Sequence, residues 1–117
     1  MLETGVDIVE ISRIEAALSR FGQRMLDRVY TPDEVAQSRG RAESLAARFA
    51  AKEAAFKVLG VRLAWREVEV RRESSGKPRI FLHGRAAAVA ERLGLASWSV
   101  SLSHSRDNAV AVVVASG

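Results

Sequence analysis

The stretch RFAAKEAAFK, residues 48–57, combines the composition of a buried helix with charged side chains that could do chemistry. It is mostly alanine with two phenylalanines, yet it contains Lys52, Glu53 and Lys57. On a helix, Glu53 and Lys57 stand one turn apart, so their carboxylate and ammonium groups are neighbours. A solvated salt bridge is the common role of such a pair, but small apolar flanks equally favour a half-buried functional pair. Both interpretations stay open at this point.

The faces of this helix give two further expectations. Ala46 and Ala50 share a stripe with Glu53 and Lys57, and we expect them to leave a shallow groove for a ligand or a second chain. Lys52 points toward the apolar side, so we expect a buried stem and an exposed ammonium. The apolar, core-facing stripe consists of Leu45, Phe49, Phe56 and Leu59.

Two other residues are candidates for chemistry. Asp7 interrupts the apolar run GVDIVEI, where a solvent-facing aspartate at a strand end is the common case. If Asp7 converges with Glu53, the two carboxylates could hold a divalent ion such as magnesium, which bridges substrate phosphates. His104 stands where a strand leaves the sheet; a lone histidine is usually structural. Its neighbours Ser103 and Ser105 add hydroxyl groups that suit a phosphate.

Length and composition bound the class of protein. The chain has 117 residues, of which 48% are hydrophobic, which predicts a single domain spanning 1–117. No cysteine is present, so disulfides, thiolate zinc sites and cysteine nucleophiles are excluded. The formal net charge of +4 favours anionic partners without choosing among them. The acidic start is unlike a signal peptide and no apolar run approaches a membrane span, so we expect a cytoplasmic protein without membrane contact.

The first half of the chain predicts a strand followed by helices. The β-branched run ETGVDIVEI favours a strand, and Ser12 with Glu15 forms a capping-box pattern for a helix to Phe21. QRMLDRVY favours a short helical piece. Thr31-Pro32 begins the next helix, with a cap, a proline at the first position and acids in the first turn. The central helix is predicted over 43–59, ending at Gly60.

The second half predicts two hairpins separated by a helix. WREVEVRRE and RIFLHG flank the turn signal SSGKP, and SWSVSLSHS and AVAVVVA flank RDN. RAAAVAERLG is a short amphipathic helix between them. The last apolar run favours a buried central strand, and Trp65 favours a packing role. The predicted fold class is α+β, with one antiparallel-type sheet packed against the long central helix.

Four motifs together resemble one family. GVDIVEI, RFAAKEAAFK, GKP and SLSHS occur in this order over nearly the whole chain. The chain resembles holo-acyl-carrier-protein synthase, the small trimeric type of 4′-phosphopantetheinyl transferase. The resemblance implies transfer of the phosphopantetheine arm of coenzyme A to a serine of apo-acyl carrier protein. It also implies release of adenosine 3′,5′-bisphosphate and a role in fatty acid biosynthesis.

The resemblance implies catalytic roles for two carboxylates and one lysine. Asp7 and Glu53 match the family's magnesium-binding carboxylates, which hold Mg²⁺ against the coenzyme A pyrophosphate. Lys57 matches the lysine beside the phosphates, near the leaving group. Physically, phosphoryl-type transfer needs an in-line arrangement and neutralised charge more than covalent chemistry. The general base that deprotonates the serine stays open, with a metal-bound or carboxylate-held water as one option.

The resemblance also implies a cofactor-binding group and a docking surface. Arg48 and His104 match positions near the adenosine 3′-phosphate, and Lys77 and Pro78 match the loop beside the adenine. The family's site lies between neighbouring subunits of a homotrimer. A basic surface on the first helical region would dock the acidic carrier protein, although such a cluster is most often a solvated face. That surface consists of Arg13, Arg20, Arg24 and Arg28.

Three departures from the family pattern and three rival functions accompany this resemblance. The segment VRLA after Gly60 and the linker SRGRAES are shorter than usual, and Asn108 replaces an aromatic residue; these changes touch the cofactor rim and the interface.

A nucleic-acid-binding module would need aromatic residues interleaved with basic ones, but aromatics make up only 6% of the chain. An inactive trimeric relative and a transferase serving another carrier domain are the other rivals.

Overall fold

The computed structural model describes residues 1–117, which form five strands, five α-helices and one short 3₁₀ helix. The first half contains β1 (Leu2–Glu10), α1 (Ile11–Phe21), α2 (Gln23–Val29), α3 (Pro32–Ser38) and α4 (Ala42–Leu59). The second half contains the 3₁₀ helix Trp65–Glu67, β2 (Val68–Arg72), β3 (Pro78–Leu82), α5 (Gly84–Arg92), β4 (Ser97–His104) and β5 (Asn108–Ser116). The α+β class and the order of elements are confirmed.

The strands form two antiparallel sheets, so the prediction of one sheet was wrong. A three-stranded sheet has the order β1-β5-β4, and β2 and β3 form a separate hairpin. β5 lies in the centre, as its apolar sequence predicted, with Asp7 opposite Ala111 and His104 opposite Ala109. Each hairpin was correctly predicted, because turn chemistry is local. Whether two hairpins join edge to edge depends on long-range packing that sequence alternation does not encode.

The alanines of α4 bring the helix close to the three-stranded sheet. Ala46, Ala50 and Ala54 are fully buried, so the predicted open groove along this stripe is wrong. A Cβ atom at Gly5 would overlap the carbonyl oxygen of Ala54, which requires glycine at this point of β1. The small side chains therefore allow the sheet to pack close to the helix. Of the four residues in the stripe, only Glu53 and Lys57 reach solvent.

The helix caps explain where the short helices begin. Thr31 and Glu34 form the reciprocal capping box at the start of α3, with Pro32 in the first position, as predicted. The predicted capping box at Ser12 is absent. The N-cap is Glu10, two residues earlier, because the backbone N–H of Ile11 donates to the carbonyl of Asp107 at 2.9 Å. Ser12 therefore lies inside the helix.

Lys52 is fully buried, so the expectation of an exposed ammonium was wrong. Its Nζ donates to Glu34 Oε1 at 2.8 Å and to the carbonyls of Trp65 and Val68. Glu34 is also fully buried, and its second oxygen accepts the N–H of Val70 at 2.9 Å. Burial lowers the pKa of Lys52, and the Glu34 carboxylate partly offsets that effect. The ion pair joins α3, α4 and β2 inside the molecule.

Candidate active site

Two ion pairs lie one helical turn apart on α4, and one of them reaches β1. Lys57 Nζ donates to the carbonyl oxygen of Val6 at 2.8 Å and lies 3.3 Å from Asp7 Oδ1. Arg62 binds both oxygens of Glu53, at 3.2 and 2.8 Å. We call Asp7, Glu53, Lys57 and Arg62 the carboxylate cluster. Glu53 and Lys57 therefore do not form the simple i,i+4 pair, because each has a partner outside the helix.

The fold places both carboxylates at one edge of the molecule. Asp7 lies on the face of β1 that meets α4, between the buried residues Gly5 and Val9. Glu53 lies one turn before Lys57, which contacts Asp7, so the two acids flank the same turn of helix. Their side chains remain 20% and 18% exposed. A ligand from solvent can therefore reach both groups.

The donor set fits a hard divalent cation. Two accessible carboxylates supply oxygen ligands and leave the remaining positions to water or substrate oxygens, which is the usual arrangement for Mg²⁺. No group of three or more histidine, cysteine or acidic residues is present that could hold a metal without such help. Each carboxylate is paired with a basic side chain here, so the ion would have to compete with those cations.

A second, cationic pocket lies at the opposite edge, beside β4. This cavity of about 240 Å³ contains His104, Ser103 and Arg72 on its walls, and Ser44 from the first turn of α4. Arg41 also lines it, together with one acid, Glu43. We call it the cationic pocket. Two arginines, a histidine and serine hydroxyls are groups that bind phosphate.

Arg48 lies beneath the cationic pocket and is 1% exposed. Its guanidinium donates to Val70 O and Gln37 Oε1, at 3.1 and 3.2 Å, and to the hydroxyl of Ser44. Gln37 Oε1 also accepts the N–H of Arg72 at 2.8 Å. Burial lowers the pKa of Arg48, and Glu34 opposes that effect. Arg48 therefore holds pocket-lining residues in place instead of facing the ligand itself.

The β2–β3 hairpin turn follows Arg72, which lines the pocket. Pro78 is opposite Arg72 in the β2–β3 register, and Lys77 is exposed in the adjoining turn. Of the predicted cofactor-binding residues, only His104 lines this cavity. Sequence reasoning missed Arg41 and Arg72. The pair Arg71-Arg72 before the GKP turn was the available signal, but alternation alone did not show which arginine faces the pocket.

The carboxylate cluster and the cationic pocket lie apart from each other within one chain. Asp7 is on β1 and His104 on β4, the two outer strands of the sheet, so two strand spacings of about 4.8 Å separate their strands. Along α4, Ala47 lines the cationic pocket and Lys57 belongs to the carboxylate cluster. Ten residues of helix correspond to roughly 15 Å. Asp7, Glu53 and Lys57 therefore lie in one group and His104 in another, and we call these two groups the half-sites.

The four predicted docking arginines are exposed on consecutive helices. Arg13 and Arg20 are on α1, and Arg24 and Arg28 are on α2. Phe21, 47% exposed, lies among them with the Arg20 guanidinium 5.2 Å from its ring centre. The surface of α1 and α2 therefore presents four arginines and an exposed aromatic ring, with Glu15 and Asp27 as exposed acids on the same helices.

Comparison with known proteins agrees with this geometry. The family model of the 4′-phosphopantetheinyl transferase superfamily matches residues 3–113. A Herpetosiphon aurantiacus protein named holo-[acyl-carrier-protein] synthase is 54% identical over 127 residues, covering 100% of both chains. The crystal structure of Helicobacter pylori holo-[acyl-carrier-protein] synthase in complex with coenzyme A superimposes with a TM-score of 0.88. It is 32% identical and covers 97% of this chain and 99% of that one.

The chain therefore belongs to the 4′-phosphopantetheinyl transferase superfamily, a class of transferases. Within that class its relatives are holo-[acyl-carrier-protein] synthases, and a second solved example, from Neisseria meningitidis, has a TM-score of 0.88 at 33% identity, covering 98% of both chains. The resemblance predicted from the four motifs is confirmed. None of the helices is both long and apolar enough to cross a membrane.

Proposed function

We propose that this protein transfers the 4′-phosphopantetheine group of coenzyme A to a serine of apo-acyl carrier protein, in a Mg²⁺-dependent reaction that supports fatty acid biosynthesis. The observation that carries the proposal is that the chain has both an accessible two-carboxylate cluster and, at the opposite edge, a cationic pocket of suitable size for a phosphate. Family membership and the coenzyme A complex of the H. pylori relative support the choice of donor.

The reaction is a displacement at phosphorus. The serine oxygen forms a bond to the phosphorus that carries the pantetheine arm, and the bond from that phosphorus to the bridging pyrophosphate oxygen breaks. The serine proton is lost, and adenosine 3′,5′-bisphosphate leaves with the bridging oxygen. Negative charge accumulates on the leaving group, so fixed cations beside it lower the barrier.

The carboxylate cluster supplies the charge arrangement for this step. Asp7 and Glu53 would hold the divalent ion, which when bound neutralises pyrophosphate charge. Lys57 is 55% exposed and directed to Asp7 and the Val6 carbonyl, so its ammonium is fixed in direction yet open to a phosphate oxygen. In this position it stabilises the leaving phosphate. The cationic pocket would bind the 3′-phosphate of the adenosine through His104 and Arg72.

We propose that the complete site is shared between subunits of a homotrimer. The two half-sites lie at opposite edges of one sheet, and a head-to-tail ring would bring one edge of a subunit against the other edge of its neighbour. The outward sheet face supports this arrangement, because Val6, Ile8 and Val112 are 54%, 65% and 42% exposed on adjacent strands. Such an apolar patch is typical of a protein interface.

The basic surface of α1 and α2 is the proposed docking site for the carrier protein. Acyl carrier proteins are acidic, so the four arginines would steer the encounter, and Phe21 would supply an apolar contact at its centre. Because exposed charges separated by more than a Debye length are screened, the association rate should fall with salt.

Intact-mass spectrometry tests the function directly. Apo-acyl carrier protein is incubated with this protein, coenzyme A and Mg²⁺, with a parallel sample containing a chelator. A gain of the phosphopantetheine mass that disappears with chelator supports both the reaction and the metal. No gain with several carrier proteins, from folded protein, would contradict the proposal, and a gain that survives the chelator would remove the metal alone.

A further inference from the structure

Arg62 engages the carboxylate of Glu53 more completely than Lys57 engages the carboxylate of Asp7. Its two terminal nitrogens lie 3.2 and 2.8 Å from the two oxygens of Glu53, so both oxygens of that carboxylate are engaged. Asp7 differs, because Lys57 approaches only one of its oxygens, at 3.3 Å, and is also held by the Val6 carbonyl. Both carboxylates have a basic partner, but only Glu53 has both oxygens engaged, so Arg62 must move before both of them can bind a metal ion.

The loop after α4 fixes Arg62 in this position. α4 ends at Leu59, and Gly60 adopts φ 74°, which turns the chain back toward the helix. The Arg62 guanidinium then lies 5.2 Å from the ring centre of Trp65 and 5.8 Å from that of Phe56. Stacking on aromatic rings favours this placement of the charge.

The buried ion pair holds the aromatic support in place. Lys52 Nζ donates to the carbonyl of Trp65 at 3.1 Å, and the Trp65 ring stacks on Phe49 with centres 4.7 Å apart. The support for Arg62 is thus anchored by a hydrogen bond to a buried lysine and by a ring stack, while the Arg62 side chain itself remains 59% exposed. The guanidinium can leave Glu53 without any rearrangement of the core.

We infer that Arg62 is a resident counter-ion of Glu53 that exchanges its partner when substrate binds, and this inference rests on the proposed function. In the free protein, Arg62 neutralises Glu53 and opposes binding of a divalent cation. When a donor with a pyrophosphate arrives, the guanidinium moves to a phosphate oxygen, for which its planar fork is suited. Glu53 is then free for the cation, so donor and metal bind more tightly together than separately.

The exchange predicts a specific thermodynamic coupling. A ligand that removes Arg62 from Glu53 raises metal affinity, and by linkage the metal raises the affinity of that ligand by the same factor. In a variant without the guanidinium, no ion pair with Glu53 has to break before a metal ion binds. Metal alone should then bind more tightly, and the part of the coupling between metal and donor that depends on Arg62 should vanish.

Mn²⁺ binding to the intact protein tests the inference without any turnover. Free Mn²⁺ is titrated by electron paramagnetic resonance for wild type, Arg62→Gln and the matched control Arg66→Gln. The control removes one exposed positive charge from the same segment, at a residue with no ion pair. Without nucleotide we expect Arg62→Gln to bind Mn²⁺ roughly threefold to fivefold more tightly than wild type, as expected for loss of a partly exposed bidentate pair. We expect Arg66→Gln to stay within about twofold.

Adenosine 3′,5′-bisphosphate and coenzyme A form the second arm of the same titration. Coenzyme A, which contains the pyrophosphate, should tighten Mn²⁺ binding in wild type and do so less in Arg62→Gln. Adenosine 3′,5′-bisphosphate lacks the pyrophosphate. Comparing it with coenzyme A therefore separates the effect of the pyrophosphate on Mn²⁺ affinity from the effect of the adenosine.

The outcomes separate this inference from the proposed function. Equal Mn²⁺ affinity in wild type and Arg62→Gln, or weaker binding in the variant, overturns the counter-ion role while leaving the metal site intact. Equal coenzyme A coupling in the two proteins overturns the exchange. If wild type binds no Mn²⁺ with or without coenzyme A, or if Glu53→Gln binds it as well as wild type, the metal assignment fails and the inference fails with it.

Discussion

Lys52, Glu53 and Lys57 lie within two turns of one helix, yet each has its partner on a different element. Lys52 is buried against Glu34 of α3, Glu53 pairs with Arg62 of the following loop, and Lys57 reaches Asp7 of β1. Helical spacing predicted that Glu53 and Lys57 are neighbours and that Lys52 projects toward the core. It did not predict the partners, because a contact across 9 to 50 residues of chain depends on packing and not on local pattern.

The first residue-scale prediction concerns the carboxylates. Asp7→Asn and Glu53→Gln should each lower the rate of phosphopantetheine transfer by about a hundredfold or more, because loss of one fixed electrostatic group typically costs that much. The fold should be kept, since both side chains are partly exposed. Initial rates by intact-mass spectrometry measure the effect, with Glu3→Gln, an exposed acid on the same strand, as the control. A near-normal rate in either variant at saturating Mg²⁺ contradicts the assignment.

The second residue-scale prediction concerns the pH dependence of stability through Glu69. Burial raises the pKa of this carboxyl, but hydrogen bonds from Thr31 and His83 and the charge of Arg71 outweigh it, and the pKa is lowered from 4.5. A lowered folded-state pKa contributes stability above the unfolded-state value, and that stability is lost as pH falls through the folded-state value.

Glu69→Gln should therefore be less stable than wild type above pH 5, and the difference should shrink as pH falls below 4. Urea unfolding at several pH values measures this difference in free energy, with the exposed Glu91→Gln as control. A difference that is constant across the range would mean that the charge on Glu69 does not stabilise the fold.

At the scale of elements, local signals located helices and turns well. The cap at Thr31 and the ends at Gly22 and Gly60 were predicted, because such signals act within a few residues. The pattern at Ser12 failed because a tertiary hydrogen bond from Ile11 to Asp107 starts α1 earlier. The alanine stripe was misinterpreted for a related reason: small residues permit close approach, but their pattern does not say whether a sheet or a ligand approaches.

The prediction at this scale concerns the buried pair that joins three elements. Lys52→Met should lower the free energy of unfolding by about 3 to 5 kcal/mol, because it leaves Glu34 as an unpaired buried charge. Combining it with Glu34→Leu should recover most of that loss, since replacing both members by apolar residues is often neutral. Urea unfolding measures both variants. A double variant as unstable as Lys52→Met would show that the other hydrogen bonds of Glu34, to Thr31 and Val70, matter more than the charge pair.

At the scale of the whole molecule, most of the fold followed from sequence, and the site followed only in part. The four motifs identified the family, and they contain Asp7, Glu53, Lys57 and His104 of the two half-sites. They did not reveal that Arg48 lies 1% exposed beneath its pocket, or that Arg41 and Arg72 line it. Those facts depend on how the β2–β3 hairpin lies against α4, a relationship between elements far apart in sequence. The separation of the half-sites became visible only with the sheet order β1-β5-β4.

That separation leads to the prediction for the assembly. One variant, Asp7→Asn, loses the carboxylate cluster and keeps the cationic pocket. A second, Arg72→Ala with His104→Ala, loses the pocket and keeps the carboxylates. In a ring where each site takes one half from each neighbour, random mixing of equal amounts makes about one interface in four intact. Subunits exchanged by unfolding and refolding together should therefore recover about a quarter of wild-type transfer, although each variant alone is nearly inactive.

Two controls make this experiment decisive. Variants that are refolded separately and then mixed should stay inactive if subunit exchange is slow, and light scattering should report the same trimer mass before and after exchange. Absence of recovery in verified mixed trimers would mean that each chain completes its own site, and that a single chain closes the distance between β1 and β4. Recovery near a quarter would instead explain why so small a domain keeps its two half-sites on opposite edges of one sheet.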